Sequence, residues 1–306
     1  MPFSLRYAVT TSPATLPTVA VVGSVVWLGG GLGDGARWGA WLVTLLTMLA
    51  VMDWNSRATL IKQRTRMAST TFFALLTAFA FLEPWHASMV AALYYVAAHI
   101  VLSLCYQQPK SQGTAFHAFL LLGAGSFFFR PLLLLAPFFL ISLGVHLRAL
   151  TWRSLAASLL GLATPYWLVA AWQLAFGGGV EWDVLWRADE LHFGLLRLAS
   201  LDGARTASLF FLLLYVAIAL VDYMRTYYQD KIRTRMFIYA IMVQLAGLGA
   251  MLLFLPADFD ATLRLLCCAA APLVGHHLTL ARGRFVHWYF IATLALLLVL
   301  TVYTRL

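Results

Sequence analysis

Charge is scarce in this sequence: Asp, Glu, Lys and Arg make up 11% of 306 residues, against 62% apolar. Soluble domains carry about 25% charged residues, and a globule in water cannot hide this much hydrocarbon. Cysteine is scarcer still. Cys105, Cys267 and Cys268 form no CxxC and no metal-ligand spacing, which excludes a disulfide framework and a zinc ribbon. HExxH is missing and carboxylates do not cluster, so no metal site and no cofactor are expected. "GGGLGDG" lies between two apolar runs rather than after a strand, so Rossmann and P-loop readings fail on context. The net charge of +9 does not point to nucleic acid, because membrane proteins collect basic residues at headgroups. No polar stretch is long enough to house a soluble catalytic domain.

What the chain does have is long, nearly uncharged runs. Stretches of about 17–25 such residues are the mark of membrane helices, and backbone in hydrocarbon must satisfy its polar groups internally. Candidate helices fall near 14–30, 38–53, 67–82, 85–105, 114–129, 131–147, 154–175, 206–222, 236–255, 264–281 and 285–303. The expected fold is all-α: a polytopic transmembrane bundle of about 11 spans, bracketed by ten and twelve, forming one integral-membrane domain over 1–306. The first run has no Ala-x-Ala site after it and is read as a membrane helix, not a cleaved leader. Within a central hairpin region, 114–175, the stretch 114–147 is either two short spans meeting at Arg130–Pro131 or a re-entrant hairpin. Proline is comfortable at a helix start and disruptive inside one, which favours a break there.

With the N-terminus placed in the cytoplasm, thirteen basic residues fall in cytoplasmic connections: Arg57, Lys62, Arg64, Arg66, Lys110, Arg148, Arg153, Arg225, Lys231, Arg233, Arg235, Arg282 and Arg284. The opposite side holds seven basic residues and nine acidic ones. That split obeys the positive-inside rule and puts the C-terminus in the periplasm.

The basic loops contain a repeat. "DWNSRATLIKQRTRM" (Asp53–Met67) and "DYMRTYYQDKIRTRM" (Asp222–Met236) share D-[WY]-x7-K-x-R-T-R-M at an offset of 169 residues. Both copies run from a helix reaching the cytoplasm to one leaving it, so lobes near 38–105 and 206–281 are read as a parallel repeat. Asp53 and Asp222 are costly at a helix end unless paired, and the arginines that follow can pair them. Trp54 and Tyr223 are expected at headgroup depth. Lys62, Arg64, Arg66, Lys231, Arg233 and Arg235 then form candidate contacts for anionic lipid or another phosphate, since guanidinium forks hold phosphate bidentately. Attraction to anionic headgroups is the plainer reading of the same residues.

Other polar residues carry weaker signals. The external segment 176–205 has apolar spacing suited to an amphipathic helix in the interface. Asp189, Glu190 and His192 within it are catalytic candidates, because a carboxylate–histidine pair can act as a base; a solvated polar face is the simpler reading. His99, His117, Gln173, Gln244, His276 and His277 fall inside spans, where hydrogen bonds between helices explain most single polar groups. Adjacent His276 and His277 point to different sides of a helix, so one ligand does not easily meet both. Arg130, set by Pro131, is a further anion-binding candidate.

The loop "NSRATLIKQRTRM" (Asn55–Met67) and the run "CYQQPKSQGTAFHAFLLLGAGSFFFRPLLLLAPFFLISLGVHLRALTWRSLAASLLGLATPYWLVAAW" (Cys105–Trp172) resemble an uncharacterised multi-pass inner-membrane family of Bacteroidetes. The resemblance implies a Gram-negative inner membrane and transfers no activity and no site residues. Three functions therefore compete. One is a carrier or flippase-like handler of an anionic or phosphate-bearing lipid or lipid-linked saccharide. A second is an enzyme of envelope saccharide assembly working on the external face. The third is a non-catalytic subunit, with a membrane-protein partner or copies of itself, held by small-residue packing at stretches such as "GLATPYW". Anionic membrane lipids are expected partners of all three.

Overall fold

The computed structural model describes residues 5–29, 33, 35–63, 65–108, 110–177, 192–197, 200–281 and 286–306. Among these residues the regular structure is entirely helical: α1 (Leu5–Thr11), α2 (Thr15–Leu28), α3 (Gly35–Ala58), α4 (Met67–Ala78), α5 (Ser88–Ser103), α6 (Gln112–Gly125), α7 (Ala136–Ile141), α8 (Trp152–Phe176), α9 (Gly203–Thr226), α10 (Ile232–Phe254), α11 (Phe259–Leu280) and α12 (Val286–Tyr303). A helix stands at each of the eleven apolar runs, but six of them are long and apolar enough to cross a bilayer: Gly35–Ala58, Trp152–Phe176, Gly203–Gln229, Ile232–Phe254, Pro256–Leu280 and Val286–Tyr303. The protein is thus a multi-span, all-helical membrane protein.

The shorter helices have local causes. The run 67–82 is apolar throughout, yet α4 stops after 12 residues, where Phe79 leaves helical geometry at φ −101° and ψ 74°. At 1.5 Å per residue α4 is about 18 Å long, short of the ~30 Å hydrocarbon core. The break expected before Pro131 is present. Phe129 is extended, and a 3-10 segment (Arg130–Leu135) carries the proline in its first turn, followed by α7 and a π turn, Ser142–His146. Gln107 N–H donates to Leu147 O at 2.8 Å, and Ser111 Oγ to Ala149 O at 3.4 Å. The segment between therefore leaves one face of the bundle and returns to it.

Helix α11 is the axis. Nearly all of it is buried, from Phe259 to Thr279, and α4, α5, α9 and α10 pack around it. Hydrocarbon tails are as apolar as leucine, so helices in a membrane associate through close packing at small residues. Gly275 meets that need: a Cβ there would lie 2.9 Å from Ala68 N, in the first turn of α4. Helix α8 is the opposite case. Its buried face is the stripe Ser154, Ser158, Gly161 and Pro165, and much of the opposite surface exposes apolar side chains such as Trp167, Leu168 and Trp172. That face lies on α6, with Gly161 against the Phe116 carbonyl and Gly123 against Leu162. Thr151 caps α8 reciprocally: Thr151 Oγ1 accepts from Ser154 N at 3.1 Å and Ser154 Oγ from Thr151 N at 2.6 Å.

Two expectations need correction. Most of the external segment, 178–191 and 198–199, lies outside the described residues; its stretch 192–197 is not helical. Gly194 N and Leu196 N instead donate to Phe254 O and Leu253 O, at 2.9 and 2.8 Å. These are C-terminal carbonyls of α10 that have no partner within their own helix, and satisfying them outweighs the local apolar period. Trp54 and Tyr223 do not face headgroups either; both are buried among protein rings. Trp54 lies 4.8 Å from His99 on α5, and Tyr223 5.2 Å from His276 on α11.

Candidate functional site

The two basic loops meet on one face. Lys62 Nζ is 3.9 Å from Asp230 Oδ1, and Thr234 Oγ1 donates to Thr59 O at 3.1 Å, so each copy of the repeated motif touches the other. The described arginines of the motif do not converge on a common point. Arg66 donates to Pro13 O at 3.5 Å, Arg233 lies over the Tyr106 and Phe237 rings, and Arg235 lies over Tyr227. Lys231 is exposed as the residue before α10. Arg64 lies outside the described residues, as do Asp189 and Glu190. His192 is exposed in the extended segment. Arg130 stands over Phe127 and Tyr166, 5.8 and 6.0 Å from the ring centres.

The two motif aspartates have different partners. Asp53 accepts from Arg57 Nε at 2.6 Å, one turn away at the surface. Asp222 takes no arginine of its own loop; His277 Nδ1 donates to it at 2.8 Å. The neighbouring His276 Nε2 donates to Asp230 Oδ2 at 2.9 Å, with both side chains under 5% exposed. The two rings do point apart, yet each reaches a carboxylate of the Asp222–Met236 motif, Asp222 at the end of α9 and Asp230 in the turn before α10. Between them lies a cavity of about 100 Å³ bounded by Lys62, Asp222, Thr226, Gln229, Asp230, His276 and Leu280. That is room for a few waters. Beside it Arg6 reaches from α1 to the last carbonyls of α11, donating to Leu278 O at 3.0 Å and Thr279 O at 2.6 Å. Such carbonyls lack intrahelical partners and favour a cation.

The other end of α11 opens into a larger basin of about 660 Å³, walled by aromatic side chains and three carboxylates. Phe81, Trp85 and Phe259 supply rings; Asp202, Asp258 and Asp260 supply acceptors. Arg205 is fully committed there. Its Nε and one terminal nitrogen clamp Asp260, each at 2.7 Å, and the other terminal nitrogen holds Asp202 at 2.7 Å. Arg264 is different. It is 4% exposed, and it donates to Ser88 Oγ and, at 2.8 Å, to Leu82 O. No carboxylate of a described residue pairs with it. Ser88 passes the contact on: its Oγ lies 2.8 Å from His86 Nδ1, which also accepts Ser88 N–H at 3.2 Å. Nδ1 is thus an acceptor and the proton of the neutral ring sits on Nε2. Burial lowers the pKa of His86, Arg264 lowers it further, and Asp260 opposes both.

Compared with family models, with curated proteins and with solved structures, the chain finds no match. The basin and the His–Asp pairs were not assembled from the sequence, because their members stand far apart in it. His276 and Asp230 are 46 residues apart, and Arg264 and Ser88 are 176 apart. The available signal was single: an ionisable residue inside an apolar run is a functional candidate by default, and Arg264, His276 and His277 all qualify.

Proposed function

We propose that the protein is a membrane carrier that takes the phosphate-bearing headgroup of an anionic amphiphile, such as a lipid-linked saccharide, into the basin at the Arg264 end of α11. One observation carries this reading: Arg264 is a buried guanidinium whose partners are neutral oxygens. Removing a charge from water is costly unless something compensates it, and a phosphate oxygen entering the basin would supply the missing negative charge with charge-assisted hydrogen bonds. The basin's other groups suit a saccharide. Aspartates accept from hydroxyls, and aromatic rings offer apolar faces to the ring carbons. An inner-membrane location, the basic loops on the cytoplasmic side and a parallel two-lobed origin belong to the same proposal. The lobes' support is the shared motif and the matching contact in each, an aromatic of the first helix against a histidine of the third. Membership of the Bacteroidetes family rests on the two quoted segments.

The test is translocation in proteoliposomes of a fluorescent polyprenyl-phosphate-linked sugar, read by quenching of the outer leaflet. Wild-type protein is expected to move the probe. Arg264→Gln should lose on the order of tenfold or more, as expected when a charged contact worth about 1.5–3 kcal/mol is removed, and Arg264→Lys should keep part of the rate. Equal rates for wild type, Arg264→Gln and protein-free vesicles would end the carrier reading.

A further inference from the structure

The carrier reading leaves the other end of α11 unused, and that end has the attributes of a proton site. His276 and Asp230 are a buried imidazole–carboxylate pair. His277 and Asp222 are a second pair one residue along, and His277 Nε2 is buried with no hydrogen-bond partner among the described residues. An unsatisfied ring nitrogen in a buried setting is costly, and a proton-bearing partner would relieve it. The cavity of about 100 Å³ touches His276 and both carboxylates, so water can reach the two pairs from one space. Lys62, 42% exposed and 3.9 Å from Asp230, stands at its edge.

We infer that the His276–Asp230 and His277–Asp222 pairs form a proton-binding site that exchanges with this cavity and couples proton movement to the carrier. The coupling rests on the function proposed above; the proton site does not. In each pair the neutral histidine holds its single proton on the nitrogen facing the carboxylate: Nε2 in His276, Nδ1 in His277. At His276, which lines the cavity, taking one proton from cavity water onto the second ring nitrogen turns the ring into imidazolium, and the pair goes from one negative charge to none; the His277–Asp222 pair meets the cavity through its carboxylate. Release reverses the step, with no other bond made or broken. Imidazole is suited to this because its charge changes between about pH 5 and 8.

The charged and titratable surroundings come from every packed element. Lys62 reaches in from the loop after α3, and Asp222 and Tyr223 come from α9. Asp230 precedes α10, which also places Arg235 and Tyr239 near Tyr223. Tyr289 of α12 lies 5.4 Å from the His277 ring, and Arg6 of α1 stands beside Asp222. Cations and carboxylates are thus both represented, and the carboxylates are the groups in direct contact with the rings.

The location gives the site its meaning. Twelve residues separate Arg264 from His276 on one continuous helix, about 18 Å at 1.5 Å per residue. A change of charge at the histidines acts on the same helix that bears the basin's Arg264 guanidinium, with Pro272 between the two. A shift or rotation of α11 is therefore felt at both ends.

The first experiment needs no substrate. The full chain, labelled with 15N-histidine in phosphatidylcholine nanodiscs, is followed by NMR between about pH 5 and 8, with signals assigned from His276→Gln and His277→Gln. Both rings are expected to pass between neutral and charged forms. Asp230→Asn should perturb the His276 transition, and Asp222→Asn the His277 transition. Rings that keep one protonation state throughout, or transitions untouched by either asparagine, would overturn the proton site. The second experiment uses the fluorescent polyprenyl-phosphate sugar in proteoliposomes. A pH gradient should change net probe movement by about tenfold in wild type, the effect of 1.4 kcal/mol. In His276→Gln and His277→Gln it should change little, while exchange without a gradient persists. Probe movement indifferent to the gradient in wild type refutes the coupling. A passed NMR test with no probe movement would refute the carrier and leave the proton site standing.

Discussion

Replacing glycine by alanine at two positions, 161 and 249, is the same chemical change with opposite expected signs. Gly161 lies in α8 where it crosses α6, and a methyl group there meets the carbonyl oxygen, carbonyl carbon and Cα of Phe116. All three are backbone atoms of a neighbouring helix, so no side-chain rotation makes room. The helices must separate instead, and contacts along the stripe Ser154, Ser158, Gly161 and Pro165 weaken together. Overpacking of this kind costs about 1–3 kcal/mol, against a gain of up to about 1 kcal/mol in helix propensity. The net expectation for Gly161→Ala is a loss of about 1–2 kcal/mol, and Gly161→Leu should lose more. Gly249 in α10 has nothing within 4 Å of the added carbon, so Gly249→Ala keeps only the propensity term and should gain about 0.5–1 kcal/mol. The protein supplies its own reporters. Cys105, Cys267 and Cys268 are all buried, two of them on α11, so a thiol-reactive dye fluoresces as the core opens. At about 2–4 °C per kcal/mol, the two alanine variants should bracket the wild-type melting temperature. If Gly161→Ala melts at or above wild type, the described α6–α8 crossing is wrong.

Glu83 and Thr151 provide further tests. Burial pushes the Glu83 carboxyl up from 4.5 to about 7, against the opposing pull of Arg305 and then Arg37. The folded protein therefore binds this proton more tightly than the unfolded chain. Stability should be highest below about pH 4.5, fall as pH rises to about 7, and level off above, with solvent screening of this partly exposed, Arg305-paired carboxyl holding the span below about 3 kcal/mol. Glu83→Gln should flatten that part of the melting-temperature profile, and a parallel profile for the two proteins would refute the assignment. Thr151→Ala removes the reciprocal cap of α8 and should cost about 0.5–2 kcal/mol. Thr151→Ser should be close to neutral in the same dye assay, and equal losses in both would point away from the cap.

The helical class was readable because apolar runs in a membrane have little alternative to helix, and each of the eleven runs became one. Helix lengths were not readable, since hydropathy continues through turns. The run 67–82 stays apolar across Phe79, where α4 ends. Pro131 was a local signal and marked its break correctly. The apolar period around Leu195 and Leu196 misled because backbone groups of a distant helix end compete for those N–H groups, and no local pattern reports them. His276 and His277 stood out as ionisable groups in an apolar run, whereas Arg264 fell only among the basic residues of the external side, and the partners of all three come from other helices. The sequence offers no ruler for such distances, so two clusters read as isolated polar residues. The repeated basic motif drew attention to its arginines, whereas the buried pairings there, among the described residues, are made by Asp222 and Asp230 with His277 and His276.

On the carrier and proton-site proposals, water entering both the basin below Arg264 and the cavity beside His276 would leave about 18 Å of α11 as dry insulation, well under the ~30 Å of the surrounding lipid. A membrane voltage then drops across that shorter gap, which raises the local field by more than half. Any ion, proton or phosphate that traverses it senses nearly the full ~2.3 kcal/mol per charge for every 100 mV within three to four helical turns.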